Sequence, residues 1–517
     1  VNHWIIAPVV LPALLAPVMV LAMRHDLGLQ RIFSVAGVIA LLAIAAALMA
    51  AAAGAPPEVY LLGNWPAPFG IVLVLDRVAA LFLLLTASLA LGVLAYAIGS
   101  GWDERGRHFH PLLHFLLMGV CGAFLTGDLF NLFVFYEVLL IASYGLMLHG
   151  GGAVRLKAGV QYIAVNLAGS ALFLFAVGTI YAVTGTLNMA DLARAVRDVD
   201  PANAAILRVG GLLLLVVFGI KAALVPLHFW LPGAYGAAAG PVAAMFAIMT
   251  KVGAYSILRV YTLIFGADAG AAAWLANDWL LPAALVTLAL GMIGALGAGG
   301  LTALASFAMI GSMGMLLIAV ALPTEAATAA ALYYAVHSTF AAAALFLIAE
   351  QVAARRGAAG DRLIAAPGFA QDGALAALFF AAAIAMAGLP PFSGFIGKLL
   401  VLDSARAAPQ ATLIWTVILA TSLLALTGFA RAGSVVFWKS AAIDGGSEGA
   451  APAPLPVTPL LAVGSLIAAM AALSAFGGPV MVYLDATAAQ LHAPEGYIDA
   501  VLGAGAPPAP APAPAHQ

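Results

Sequence analysis

Residues 219–236 read GIKAALVPLHFWLPGAYG, and residues 387–400 read AGLPPFSGFIGKLL. Each stretch sets prolines and one lysine into an apolar run. Pro226 and Pro232 interrupt the first soon after Lys221, whereas Pro390, Pro391 and Gly394 interrupt the second shortly before Lys398. Proline removes a backbone donor and clashes with the preceding turn, so both stretches read as broken helices. Within a membrane, unwound backbone persists only inside protein or beside water. One such break is an ordinary kink. Two breaks five helices apart, each beside a lysine, form the pattern expected of inverted membrane repeats.

Composition makes lipid the solvent for most of the chain. Of 517 residues, 64% are hydrophobic and 8% charged, against about 25% charged in a soluble domain. The formal net charge of −2 gives no basic bias toward nucleic acid. The single cysteine, Cys121, rules out a disulfide within the chain and cysteine-rich metal clusters, and its apolar run marks it as packing. The segment from Trp4 to Ala22 lacks a basic leader and a cleavage signal, and reads as a retained helix.

A hydrocarbon core of ~30 Å needs about 20 apolar residues per helix. This filter predicts an all-α integral membrane protein of about fourteen helices: 4–22, 32–53, 77–99, 110–126, 128–149, 157–183, 205–223, 241–266, 276–298, 301–321, 325–353, 373–402, 411–438 and 458–484. Helices four to eight (residues 110–266) and nine to thirteen (276–438) form two five-helix repeats, opposite in topology because five is odd. Residues 1–109 hold three further helices and an outward hairpin over 55–75, around Pro66 and Pro68. Residues 439–457 read as a cytoplasmic linker, 458–484 as helix fourteen, and 485–517 as a C-terminal segment with a disordered Ala/Pro-rich tail. The loops after odd-numbered helices hold eleven basic residues, from Arg24 and Arg31 to Arg431 and Lys439, and the even loops and helix edges hold five. The odd loops are therefore expected in the cytoplasm, and both termini outside a cell (inner) membrane.

Five ionisable residues lie where charge is expensive: Glu137, Lys221, Lys251, His337 and Lys398. Each charge at mid-bilayer costs ~2.5–3.5 kcal/mol on insertion scales. Arg259, nearer the outer end of its helix, is expected to snorkel. A static ion pair accounts for Glu137 with Lys221 or Lys251, but not for three lysines against one glutamate. At least one lysine must be neutral, wet or paired with a labile group, the conditions under which lysine carries protons. His337 alone is satisfied by adjacent Ser338 and Thr339, and beside buried lysines it gains a relay role. His114, His149 and His228 stand at helix ends or breaks and say less. No nucleophile–base set or metal, flavin, quinone or iron–sulfur motif occurs, so neither an enzyme nor a bound cofactor is expected.

Four segments resemble a known family. They are TGDLFNLFVFYEVLLIASYGLML (126–148), KAALVPLHFWLPGAY (221–235), TKVGAYSILRVYTLIF (250–265) and AGLPPFSGFIGKLL (387–400). They are similar to the D subunit of Mrp-type multisubunit monovalent cation/proton antiporters. That family is related to the antiporter-like subunits of respiratory complex I and of membrane-bound hydrogenases. The resemblance covers about residues 70–440. It implies fourteen helices with two inverted repeats and a proton path over Glu137, Lys221, Lys251, His337 and Lys398. It also implies other membrane subunits as partners, with protons and Na⁺ or K⁺ as cargo. Two readings compete with it: a proton-pumping subunit of a redox complex, and a non-transporting scaffold whose buried charges only pair helices.

Overall fold

The structure is a computed structural model, and it describes residues 2–369, 372–439 and 457–504. Nearly all of the expected 439–457 linker and the end of the tail, from residue 505, lie outside the described residues.

Helices α1 (Ala7–Ala22) and α2 (Leu27–Gly54) lead into a hairpin of β1 (Glu58–Leu61) and β2 (Val72–Leu75). The strands are antiparallel, with Glu58 opposite Leu75, inside the 55–75 range expected. Next come α3 (Arg77–Gly99), α4 (Phe109–Leu125), α5 (Leu129–Met147), α6 (Ala153–Thr184) and short α7 (Met189–Ala195). The first broken span is α8 (Pro201–Lys221) followed by α9 (Trp230–Ala237). Then follow α10 (Gly240–Leu263), α11 (Asn277–Gly297), α12 (Leu301–Val320) and α13 (Glu325–Arg355). The second broken span is α14 (Asp372–Ala387) with α15 (Ser393–Ser404), after which α16 (Ala411–Gly433) ends in a π turn. The C-terminal part is α17 (Val457–Ala475), α18 (Gly477–His492) and α19 (Glu495–Gly503).

Among the described residues, 11 helices are long and apolar enough to cross a membrane. The expected first, fourth and twelfth spans are shorter apolar helices: Ala7–Ala22, Phe109–Leu125 and Asp372–Ala387. The fourteenth span, expected unbroken over 458–484, instead divides between α17 and α18. Gly477, Gly478 and Pro479 explain the division, because Pro479 has no N–H and crowds the turn before it.

Both proline breaks open in the same way. The N–H of Leu224 bonds Gly219 O at 2.9 Å, and that of Leu389 bonds Ile384 O at 3.0 Å. The residue before each is left-handed, Ala223 at φ 54° and Gly388 at φ 74°. This is the six-to-one closure of a Schellman cap, which satisfies carbonyls that the ending helix leaves free. Pro226 and Pro391 follow those left-handed residues at equal spacing.

After the breaks the two halves part. The end of α9 meets an odd loop, where Arg155 Nε donates to Ala237 O at 3.0 Å. The end of α15 meets the opposite side, where Ser404 shares a cavity with Asn277 at the start of α11 and with Pro323 in an even loop. The arms thus point to opposite faces, as inverted units require. At the centre α10 is buried along its whole length and packs on α13. Contacts run stepwise from α5 to α6, α8, α10, α13 and α15.

Candidate functional site

The five expected residues fall on five helices of that stepwise path: Glu137 on α5, Lys221 on α8, Lys251 on α10, His337 on α13 and Lys398 on α15. Lys221, Lys251 and His337 are buried, and Glu137 and Lys398, at the two ends, are half-buried.

No ion pair joins Glu137 to Lys221 among the described residues, because α6 stands between them. Ser170 Oγ donates to Glu137 Oε1. Lys221 Nζ donates to Asn166 Oδ1 at 2.6 Å. Asn166 and Ser170 share a face one turn apart on α6. Asn166 Nδ2 passes on to Tyr162 O at 2.7 Å, and Tyr162 Oη meets Ser143 Oγ at 2.9 Å. Sequence reasoning missed this ladder. Uncharged polar groups cost too little to stand out in an apolar helix, and only their fourfold spacing at 162, 166 and 170 signalled it.

Lys221 is enclosed. It borders a void of about 10 Å³ lined by Tyr136, Tyr162, Trp230 and Tyr235, close to the space of one water molecule. The Tyr136 ring lies 5.8 Å from its Nζ. The next lysine is more isolated: Lys251 Nζ is buried and meets no hydrogen-bond partner among the described residues.

His337 does not use its sequence neighbours. Ser338 and Thr339 both donate to Ala335 O in their own helix. Its partner comes from the start of α15, where Ser393 Oγ lies 2.9 Å from His337 Nδ1. Gly394 permits that approach, since a Cβ there would stand 1.9 Å from Ala385 O and 2.8 Å from His337 Nε2.

Lys398 turns back onto the second break. Its Nζ donates to Ala387 O at 2.6 Å and to Ser422 Oγ at 2.8 Å. It also borders a cavity of about 350 Å³. Phe395, Leu399, Leu419 and Leu423 line that cavity and are exposed on the flank of the bundle.

Arg259 departs from the expectation that it snorkels. It is 5% exposed and pairs with Asp76, itself 2% exposed, at 2.6 Å. The carboxylate at α3's N-cap holds it inside the protein. His114 is likewise inside α4, buried, with Nε2 3.2 Å from Ser34 Oγ. Near it, outside the spans, Asp103 is bonded by Arg31 and His110. Burial alone would raise the Asp103 carboxyl, but hydrogen bonds from His110 and Arg31 outweigh it and hold the group down at about 2.

The arrangement is a file of titratable groups crossing the bundle sideways, with neutral hydroxyls and an amide between its first members.

Known proteins resemble this chain over nearly its whole length. The family described as NADH:quinone oxidoreductase/Mrp antiporter, transmembrane, matches residues 126–425. The D subunit of a probable K⁺/H⁺ antiporter of Rhizobium meliloti is 42% identical, over 97% of this chain and 98% of its own. The D subunit of the Na⁺/H⁺ antiporter of Bacillus subtilis is 39% identical, over 97% and 99%. A chain in the solved Mrp complex from a Dietzia species superposes with a TM-score of 0.85 at 30% identity, covering 97% of this chain and 100% of that one.

Proposed function

The chain belongs to the NADH:quinone oxidoreductase/Mrp antiporter transmembrane family, and from that premise we propose that it is the proton-translocating D subunit of a multisubunit Na⁺(K⁺)/H⁺ antiporter. It works beside other membrane subunits, as a transporter subunit and not an enzyme. Protons move along Glu137, Lys221, Lys251, His337 and Lys398. Ser170 and Asn166 couple Glu137 to Lys221, since each bonds one of the two. When that coupling loosens, Lys221 loses its support and gives up its proton toward Lys251. His337 receives it in the second half and passes it to Lys398, which borders the flank cavity. One pKa unit is worth about 1.4 kcal/mol, and one charge crossing 100 mV about 2.3 kcal/mol. Shifts of one or two units therefore match the driving force.

The observation that carries this reading is Lys251, a buried amine without a hydrogen-bond partner among the described residues. A scaffold would pair such a group or replace it with leucine, because a lone buried ammonium is costly. A pump within a redox complex is the nearest alternative. The antiporter reading is favoured by 42% identity over 97% of the chain to an antiporter's D subunit.

Residues 110–266 and 276–438 act as the two inverted repeats, in the cell membrane with both termini outside. Two contacts support that orientation. Asn2 Nδ2 donates to Glu58 Oε2 at 2.8 Å, in an even loop. At the other end α19 packs on α7 and β1, also in even loops.

The test is Lys251→Met in inverted membrane vesicles holding the whole complex. Cation-driven ΔpH should vanish while assembly is kept. Normal ΔpH would refute the proton path.

A further inference from the structure

A cavity of about 440 Å³ opens at the even-loop face, between α11, the turn before α13, the end of α15 and the start of α16. Its walls change character with depth. At the mouth stand Asn277 and Asp278, which begin α11, with Thr324 and Gln410. Leu281 and Leu285 follow along α11, and Leu413 follows Gln410 on α16. Leu285 lies about 10 Å along the helix from Asp278, at 1.5 Å per residue. Asp278 is the one charged residue among the described residues that line the cavity. Arg406, just past the end of α15, is turned to Asp403 at 3.0 Å.

The edge of the bilayer passes at the level of the mouth. Trp279, next to Asp278, is 66% exposed, and Val286 and Ile293 repeat at seven-residue intervals, both exposed. Seven residues are close to two turns, so the three form one stripe down α11. An exposed tryptophan above aliphatic side chains marks the headgroup level. Leu413 belongs both to the cavity wall and to the exposed flank of α16. The cavity is thus continuous with the lipid-facing surface, polar at headgroup level and apolar at chain level.

We propose that this cavity holds a membrane lipid with an amine headgroup, its ammonium on Asp278 and one acyl chain along Leu281, Leu285 and Leu413. An ammonium carries three donors, and the amides of Asn277 and Gln410 bring acceptors to the same mouth. The exposed carboxylate supplies selectivity more than affinity. Burial of the chain supplies the larger part of the binding. An anionic headgroup would meet Asp278 with no basic side chain among the described lining residues. A small soluble cation would leave the apolar wall uncovered. A lipid so placed joins the even-loop ends of α11, α13, α15 and α16, and so braces the arm that carries Lys398. The proposal does not depend on the proton path.

The test begins with the whole complex purified in detergent and the lipid retained with it measured by class. The native complex should keep one ethanolamine lipid per copy of this chain that Ala407→Trp loses. Ala407 is an exposed residue of the cavity wall, so the indole fills the space without entering the core. Equal retention overturns the proposal, whether lipid never enters or a partner subunit covers the mouth. The headgroup is tested with lipid stripped away. Added phosphatidylethanolamine should raise the thermal midpoint of the native complex several degrees more than phosphatidylglycerol does. Asp278→Asn should remove most of that difference. Asp278 is exposed, so this variant keeps its fold even where Ala407→Trp fails to assemble. A difference that survives Asp278→Asn overturns the proposal. Ethanolamine without acyl chains is the last arm: a rise equal to that given by the lipid marks a small-cation site and overturns the lipid.

Discussion

The two broken helices begin alike and end differently. Each closes with the same six-to-one backbone bond, a left-handed residue and a proline at equal spacing. The lysines, however, sit on opposite sides of the breaks: Lys221 is the last residue before the first, and Lys398 follows the second inside α15. The first lysine is walled in by aromatic rings around a void of about 10 Å³. The second borders about 350 Å³ on the flank of the bundle. One backbone device thus stands in two settings. In the first half the lysine before the break is closed in and amide-bonded. In the second the lysine after the break borders an open, apolar-lined cavity.

The comparison breaks most readily at Lys221. Lys221→Met and Glu137→Gln should each abolish cation-driven ΔpH in vesicles while the complex assembles. If either retains normal ΔpH, the closed half carries no protons. A smaller effect is expected at the link between them. Asn166→Leu removes a bond to a charged donor, worth about 1.5–3 kcal/mol, and should slow exchange about 10- to 100-fold. An unaltered rate would mean that α6 only packs between α5 and α8.

The left-handed residues sharpen the contrast further. A Cβ at Gly388 would stand 2.8 Å from Lys398 Nζ, and the conformation itself costs a side chain about 1–2 kcal/mol. Gly388→Ala should lower the thermal midpoint of the purified complex and impair exchange. Ala223→Gly should raise that midpoint slightly and leave exchange unchanged, because Lys221 is held by Asn166. Equal effects on exchange at both positions would erase the distinction.

Least affected should be the cluster around Asp103, away from the path. Asp103→Asn should lower thermal stability and spare exchange at neutral pH. Its carboxyl is held at about 2, below the ordinary value of 3.8. Its stabilisation is therefore complete above the ordinary value and fades as pH falls through about 2. The thermal difference between Asp103→Asn and the native chain should shrink in acid, and a constant difference would contradict that pairing.

The long apolar runs, both breaks and the five ionisable residues were readable in the sequence, because the runs meet a strong rule of lipid solvation and the breaks and charges violate it. Their partners were not. Asn166 and Ser170 are uncharged and cheap to bury. Ser393 meets His337 only once the second break has turned the chain. Arg259 looked free to reach outer water until Asp76, far away in sequence, was brought beside it. The division of the last span at Gly477–Gly478–Pro479 had a local signal that hydropathy averaging passes over. Local chemistry survives in a sequence, whereas pairing across helices depends on the finished packing.

The central claim, that these buried groups release protons and do more than brace the breaks, is tested most directly at Lys398. Its Nζ donates to Ala387 O at 2.6 Å and Ser422 Oγ at 2.8 Å, so a bracing role has a concrete geometry. Arginine keeps donors for both but does not give up its proton. Lys398→Arg should assemble and lose exchange, read as cation-induced dequenching of a pH dye, whereas Lys398→Glu should keep a part because a carboxylate titrates. Full exchange by Lys398→Arg would contradict the account and leave Lys398 as a cap on a broken helix.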